Sequence, residues 1–369
     1  MGRVISPEDR LDDQGDGIRS FVGVMVALLS LKRSVFLIDE PEAFLHPPHA
    51  FRMGELLAEH ASDGRQIVAA THSVDLLRGV ISKTQDVTVI RIGRDGLTNE
   101  FKSLRPDDLK SIASDPLLSS ARVLDGLFYN GAIVVEADRD ARFYNIVSDK
   151  RAPGAGFHFV NADSKQTVSR IIKLYKQIGV RTAGIVDFDV LNDKSEFQIQ
   201  VDALGLGEES RKLALELQEA IAAAVQGTPP DERLEIVKQQ LVELHSSIEA
   251  APHDVTAEKE KVLRQIERKC QEIAGSTKAW RQFKQEGCAA LNGEVRAKFD
   301  RLYSLCASGG LFINPAGELE SMLCEYAVPY TTDKRAWFQQ ALGLIRDIQV
   351  DDRKQPWRLM KDVHGFLKV

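Results

Sequence analysis

Three short acidic runs each follow an apolar stretch and put carboxylates where the chain would turn. Ile133-Val134-Val135 leads into Glu136 and, four residues on, Asp140. Ile185-Val186 leads into Asp187-Phe188-Asp189, and Leu311-Phe312-Ile313-Asn314-Pro315 leads into Gly317-Glu318-Leu319-Glu320-Ser321. Alternation along an extended segment sends Asp187 and Asp189 to the same side, and Glu136 and Asp140 share a turn into a helix where both can face one ion. Clustered carboxylates repel one another, so a set of six requires a compensating cation, and an all-oxygen donor set suits Mg²⁺ or Mn²⁺. Any one run alone reads equally well as a solvated acidic turn. Three in succession weigh against that reading and toward a site for a divalent cation.

A second constellation lies nearer the N-terminus. Val35-Phe36-Leu37-Ile38-Asp39-Glu40-Pro41 places Asp39 and Glu40 at the tip of a buried strand, where ligands bind in α/β sheets. Upstream, Gln14-Gly15-Asp16-Gly17-Ile18-Arg19-Ser20 feeds an apolar helix whose first amides would suit a phosphate. Downstream, Ala69-Ala70-Thr71-His72-Ser73 ends a further strand in a histidine able to sense a γ-phosphate. The first carboxylate would hold a magnesium shell and the second would polarise the attacking water.

The elements that must position these residues alternate as α/β proteins do. Residues 1–105 read as one α/β series, with strands over Ser34–Ile38, Gln66–Ala70 and Val87–Ile92. Residues 106–128 read as a helical linker opened by Pro106 and Asp107. A second series occupies 129–205 and resumes over 308–369, with strands at Ala132–Val135, Phe157–Val160, Thr182–Val186 and Leu311–Pro315. Between them, 206–307 turns to long charged helices without a strand-like run, an all-helical insertion.

In chain order, the glycine turn, the Asp39-Glu40 strand and His72 resemble the signature loop, Walker B strand and switch histidine of ABC-type ATPases over roughly residues 10–95. No G-x-x-x-x-G-K-[ST] occurs anywhere in the chain, so the phosphate loop and the β-rich first half of such a domain are missing. ATP is expected to bind only if that half is supplied, by a longer protein of which this is a piece or by a partner chain. The abrupt start favours the first, and a degenerate domain kept for dimerisation is a third reading. The later acidic runs resemble the Toprim domain of topoisomerases, primases and certain nucleases.

An ABC-type ATPase followed by a Toprim domain resembles the OLD (overcoming lysogenization defect) family of nucleases, and the helical insertion resembles its second class. The resemblance implies a partial ABC-type ATPase sheet plus a Rossmann-like parallel Toprim sheet. It also implies DNA as the partner, a homodimer, a role in phage defence and two-metal cleavage by Glu136, Asp140, Asp187, Asp189 and one of Glu318 and Glu320. Ala137 departs from the glycine usual after the first glutamate. The family carries a late lysine near the metals, and Lys361, on a helix face with Lys354 and Arg358, is the residue that fits by position.

Composition sets bounds on the partners. The 369 residues carry 48 Lys+Arg against 54 Asp+Glu, a net charge of -6, so DNA must be met by local basic surface. Lys165, at the start of a helix beside the acidic runs, with Arg170 and Lys173 along it, would steady a DNA backbone. From Lys259 to Arg301 there are 11 Lys+Arg against 6 Asp+Glu, read equally as a nucleic-acid path or a solvated helical face, and Trp280 and Phe283 within it have the spacing of core residues. No membrane span is indicated, and four cysteines without a C-x-x-C pair suit a reducing cytoplasm. Two other classes compete with the nuclease: a non-catalytic ABC-type DNA-binding scaffold, and a strand-transfer enzyme of the topoisomerase or primase kind, for which no tyrosine stands in an identifiable context.

Overall fold

The computed structural model describes residues 11–30, 33–61, 64–95, 97–129, 131–226, 230–249, 263–264, 266–267, 269–270 and 280–367. Part of the basic stretch 259–301 therefore lies outside the described residues. Contacts divide the chain into two compact units, Met1–Ala132 with Leu174–Arg181, and Ile133–Lys173 with Thr182–Val369.

In the first unit, α1 (Asp16–Ser30) precedes β1 (Val35–Asp39), α2 (Pro47–Ala61), β2 (Gln66–Ala70) and α3 (Val74–Lys83). β1 and β2 pair in parallel, from Val35 opposite Gln66 to Asp39 opposite Ala70. Ser73 caps α3 by accepting the Leu76 N–H, which ends the histidine strand in a defined turn. A small core of Leu28, Phe36, Met53, Leu57 and Leu76 joins the helices to one face of the strands. Val35, Leu37 and Val68 stay exposed.

A hairpin of β3 (Val89–Asp95) and β4 (Thr98–Leu104) follows. The sequence supports β3, but β4 offers only Phe101 and Leu104 as large apolar residues and escapes a pattern search. What anchors the hairpin is Arg91, whose guanidinium donates to the carbonyls of Leu127, Tyr129 and Gly179. Short helices α4 (Pro106–Ala113) and α5 (Ala121–Asp125) complete the unit.

The second unit is organised on a four-stranded sheet ordered β6–β5–β7–β8, from β5 (Gly131–Val135), β6 (His158–Asn161), β7 (Arg181–Val186) and β8 (Leu311–Ile313). β7 and β8 run parallel, with Val186 opposite Ile313. Every residue of β5 and β8 is buried, as is β7 beyond Arg181, which is why these strands read as continuous apolar runs. Helices α6 (Asp138–Arg151) and α7 (Lys165–Gln177) connect the first three strands.

Between β7 and β8 the described chain is helical: α8 (Lys194–Ala203), α9 (Glu208–Gln226), α10 (Pro230–Glu249), α11 (Arg281–Glu286) and α12 (Gly293–Ser308). Helices α13 (Lys334–Asp347) and α14 (Trp357–Leu367) then close over the sheet with α6. The core there is dense in aromatic side chains, Phe143, Phe312, Trp337 and Trp357 among them. No helix among the described residues is long and apolar enough to cross a membrane.

Candidate functional site

Three chain reversals at one end of this sheet build the acidic site. β5 ends at Val135 and delivers Glu136, and Asp140, in the first turn of α6, accepts the Ala137 N–H at 3.1 Å through Oδ2. Ala137 itself has φ -131°, an ordinary extended angle, so the missing glycine costs nothing here. β7 ends at Val186, and the Asp187 N–H donates to Glu136 Oε1 at 3.1 Å, joining the first two clusters directly.

Asp189 reaches the site by a different route from the one expected. A 3₁₀ turn over Phe188–Asn192 starts right after Asp187, so the extended backbone that would alternate the two aspartates stops there. Phe188 turns into the core while Asp189 is held by ion pairs to Lys165 and, at 2.7 Å, to Lys284 of α11. Beyond β8, Asn314 Oδ1 accepts the Ala316 N–H and shapes the turn that buries Glu318 and Glu320 to 8% and 2% exposure. Lys284 stands 3.1 Å from Glu318, and Lys334, at the start of α13, stands 3.5 and 3.6 Å from Glu318 and Glu320.

The electrostatics follow from crowding acids in a poorly solvated place. Burial first, and then the nearby Asp189 and Asp140, push Glu136 up to about 7 against the pull of Lys165. Burial and Glu320 raise Asp140 to about 6. Asp187 rises well above the carboxylate range through burial and the charges of Glu136, Asp140 and Asp189. Asp189 is the exception: burial would raise it, but Lys165 and Lys284 outweigh that and bring it below its ordinary value.

Six carboxylates thus face three ammonium groups. No three His, Cys, Asp or Glu side chains among the described residues converge as a ready-made cage for an ion. The donor set nevertheless fits a divalent cation, because hard oxygen ligands under mutual repulsion are stabilised by one. Glu136, Asp140, Asp187, Asp189, Glu318 and Glu320 are the residues that would hold it.

Lys361 stands elsewhere. It is exposed on α14 and lines a groove with Arg151, Tyr303, Phe312, Asp362 and Phe366, while the Phe366 ring reaches Gly310 at the start of β8, the end opposite to the carboxylates. The late lysine that approaches the acids is Lys334, and its sequence signal was available: Thr332-Asp333-Lys334 opens a helix, with Asp333 accepting the Ala336 N–H. Lys284 carried no local signal beyond its place in the basic stretch. Arg170 and Lys173 are exposed on α7, whereas Lys165 is engaged by Asp189. Trp280 and Phe283 form core with Phe188 and Phe299.

The N-terminal constellation is more open. Gly15 accepts the Ile18 and Arg19 N–H groups at the start of α1, and Gly17 lies in its first turn against the Phe44 carbonyl. Asp39 closes β1, and Glu40 follows with φ 46°, donating its N–H to Ala70 at the end of β2. That turn brings His72 Nδ1 within 3.2 Å of Glu40 Oε1. Glu42, which the sequence reading passed over, is buried beneath them: its Oε1 accepts from Thr71 Oγ1 at 2.5 Å and from the His72 N–H at 3.2 Å.

Comparison with known proteins gives the same two parts. Residues 5–78 match the family "AAA domain, putative AbiEii toxin, Type IV TA system", and residues 127–189 match "Overcoming lysogenization defect protein-like, TOPRIM domain". The chain is similar to the Old nuclease of Escherichia phage P2, 23% identical over 170 residues that make up 43% of this chain and 28% of that protein. It is also similar to a "Putative ABC transporter ATP-binding protein" of Geobacter sulfurreducens, 36% identical over 89 residues, 24% of this chain and 32% of that one. The chain thus spans less than a third of the length of either relative. An AAA/ABC-like ATPase segment followed by an OLD-like TOPRIM domain is the architecture of the OLD family, and this chain has it.

Proposed function

We propose that this chain is a metal-dependent DNA endonuclease or nickase whose chemistry belongs to the acidic site and whose ATPase-like segment regulates or assembles it. One observation carries the proposal: three carboxylate clusters, far apart in sequence, meet at one end of a buried sheet, where Asp187 donates its N–H to Glu136 and Lys284 bridges Asp189 and Glu318. Likeness to a phage nuclease supports the same activity class.

Two bound Mg²⁺ or Mn²⁺ ions would supply Lewis acidity to an attacking water and to the leaving 3′-oxygen. The protein's own part is to hold the carboxylates in register, through the Asp187–Glu136 and Ala137–Asp140 hydrogen bonds, and to shield them from bulk water. Glu136 would take a proton at the reacting centre. Lys165 and Lys334, drawn to the acids, are positioned to meet the phosphates of a bound strand.

The Glu40–His72 pair and buried Glu42 suit a γ-phosphate sensor, and ATP would bind only with a phosphate-loop half supplied from elsewhere. The uncovered apolar face of β1 and β2 is where such a half would pack.

The test is incubation of the protein with supercoiled plasmid, without ATP, in Mg²⁺, in Mn²⁺ and in chelator. Nicked or linear product only with metal is the expected result. Intact plasmid throughout from a folded protein with bound metal would favour the non-catalytic scaffold.

A further inference from the structure

Lys284 enters the acidic site from the helical segment between β7 and β8, not from the strands and helices that build the rest of it. Its ammonium bridges two carboxylates from different reversals, 2.7 Å from Asp189 and 3.1 Å from Glu318. The backbone around it is fastened to the loop after β8. The Glu318 N–H donates to the Lys284 carbonyl at 2.8 Å, and the Cys288 N–H donates to the Pro315 carbonyl at 2.9 Å.

Two glycines permit that approach. A Cβ on Gly287, at φ 54°, would lie 2.2 Å from the Pro315 carbonyl oxygen, and one on Gly317, at φ 112°, would lie 2.2 Å from that of Lys284. The D-x-D turn joins the same assembly, since the Phe188 N–H donates to the Gly317 carbonyl at 3.0 Å and the Phe188 ring packs on Trp280, Phe283 and Phe299. The stem of Lys284 is thus fixed on the site while its side chain keeps 40% exposure, enough for the ammonium to swing away.

We propose that Lys284 is a positioning residue by which the helical segment sets the cation affinity of the acidic site: its ammonium occupies the space between Asp189 and Glu318 and competes with a divalent cation for both. The inference rests on the reading of the site as a metal centre. An arriving cation would displace the ammonium outward, toward solvent.

The test is calorimetric titration of the full chain with Mn²⁺, in the absence of DNA, for the wild type, Lys284→Met, Lys284→Gln and Lys284→Arg. The neutral variants are expected to bind Mn²⁺ about fivefold tighter or more, the lower end of a typical coupling between two ligands. Lys284→Arg, which keeps the charge, is expected to bind no tighter than the wild type. The rise in melting temperature on adding Mn²⁺ should be larger for the neutral variants, and Lys284→Gln provides the reading if the more apolar Lys284→Met fails to fold. Equal or weaker Mn²⁺ binding by the folded neutral variants overturns the competition while leaving the metal centre standing. Wild-type protein that binds no Mn²⁺ overturns both.

Discussion

The two acidic constellations of this chain start from one device, an apolar strand ending in carboxylates, and differ in what surrounds the strand. β1 leaves Leu37 79% exposed, and the side chains of Glu40 at its tip and of His72 just beyond β2 are 53% and 71% exposed. β5 and β8 are buried along their whole length, and burial raises Glu136 and Asp140 beyond the tip of β5. The lesson is that residue type at a strand tip nominates a site, while covering of the strand decides how much electrostatic stress the site stores. Desolvated carboxylates are stabilised by a nearby cation, whereas the Glu40 and His72 side chains stay open to water.

The sharpest way to break this contrast is by packing. Trp337→Ala removes a fully buried indole beneath the acidic site and should cost about 3–5 kcal/mol in denaturant unfolding. Leu37→Ala on the open strand should change stability by no more than about 0.5 kcal/mol. Comparable losses from the two would mean that β1 is as well covered as β5.

Next comes activity. The double substitution Asp187→Ala with Asp189→Ala should lower plasmid cleavage at least about a hundredfold, since even the loss of outer partners of metal ligands costs 10- to 100-fold, with circular dichroism unchanged. His72→Ala should leave cleavage without ATP at the wild-type rate. Retained cleavage by the double variant would remove the chemistry from this site.

The smaller effect concerns pH. Without metal, Glu136 at about 7 and Asp140 at about 6 both lie above the roughly 4 of an unfolded carboxylate. The folded state therefore holds these protons longer than the unfolded one, and their contribution to stability is fullest below about 4 and is lost as pH rises toward 7. Melting temperatures in chelator should fall for this reason between pH 5 and pH 8, and Glu136→Gln should flatten the fall. An unchanged slope in Glu136→Gln would show that Glu136 titrates normally.

Much of this site was legible in the sequence because buried strands announce themselves as apolar runs and their acidic ends are adjacent in the chain. Glu136, Asp140, Asp187, Asp189, Glu318 and Glu320 were all found that way. The same-side argument for Asp187 and Asp189 assumed strand geometry that a 3₁₀ turn replaces after the first residue. The lysines were harder, because a long flexible side chain can cross from another element and leaves no periodic trace. Lys284 arrives through contacts more than 90 residues from Asp189, and Lys361 had the right charge on a helix that faces another groove. Strand β4 was missed for a related reason: it is held by its antiparallel pairing with β3, which Arg91 in turn fastens to the carbonyls of Leu127, Tyr129 and Gly179, and not by an apolar face of its own.

The most direct test of the central claim is diffraction from crystals grown with Mn²⁺, collected where manganese scatters anomalously. The account predicts anomalous peaks among Glu136, Asp140, Asp187, Asp189, Glu318 and Glu320, with the Lys284 ammonium moved away from Asp189. Crystals soaked to saturation that show no peak there, with Lys165, Lys284 and Lys334 still paired to the acids, would contradict it.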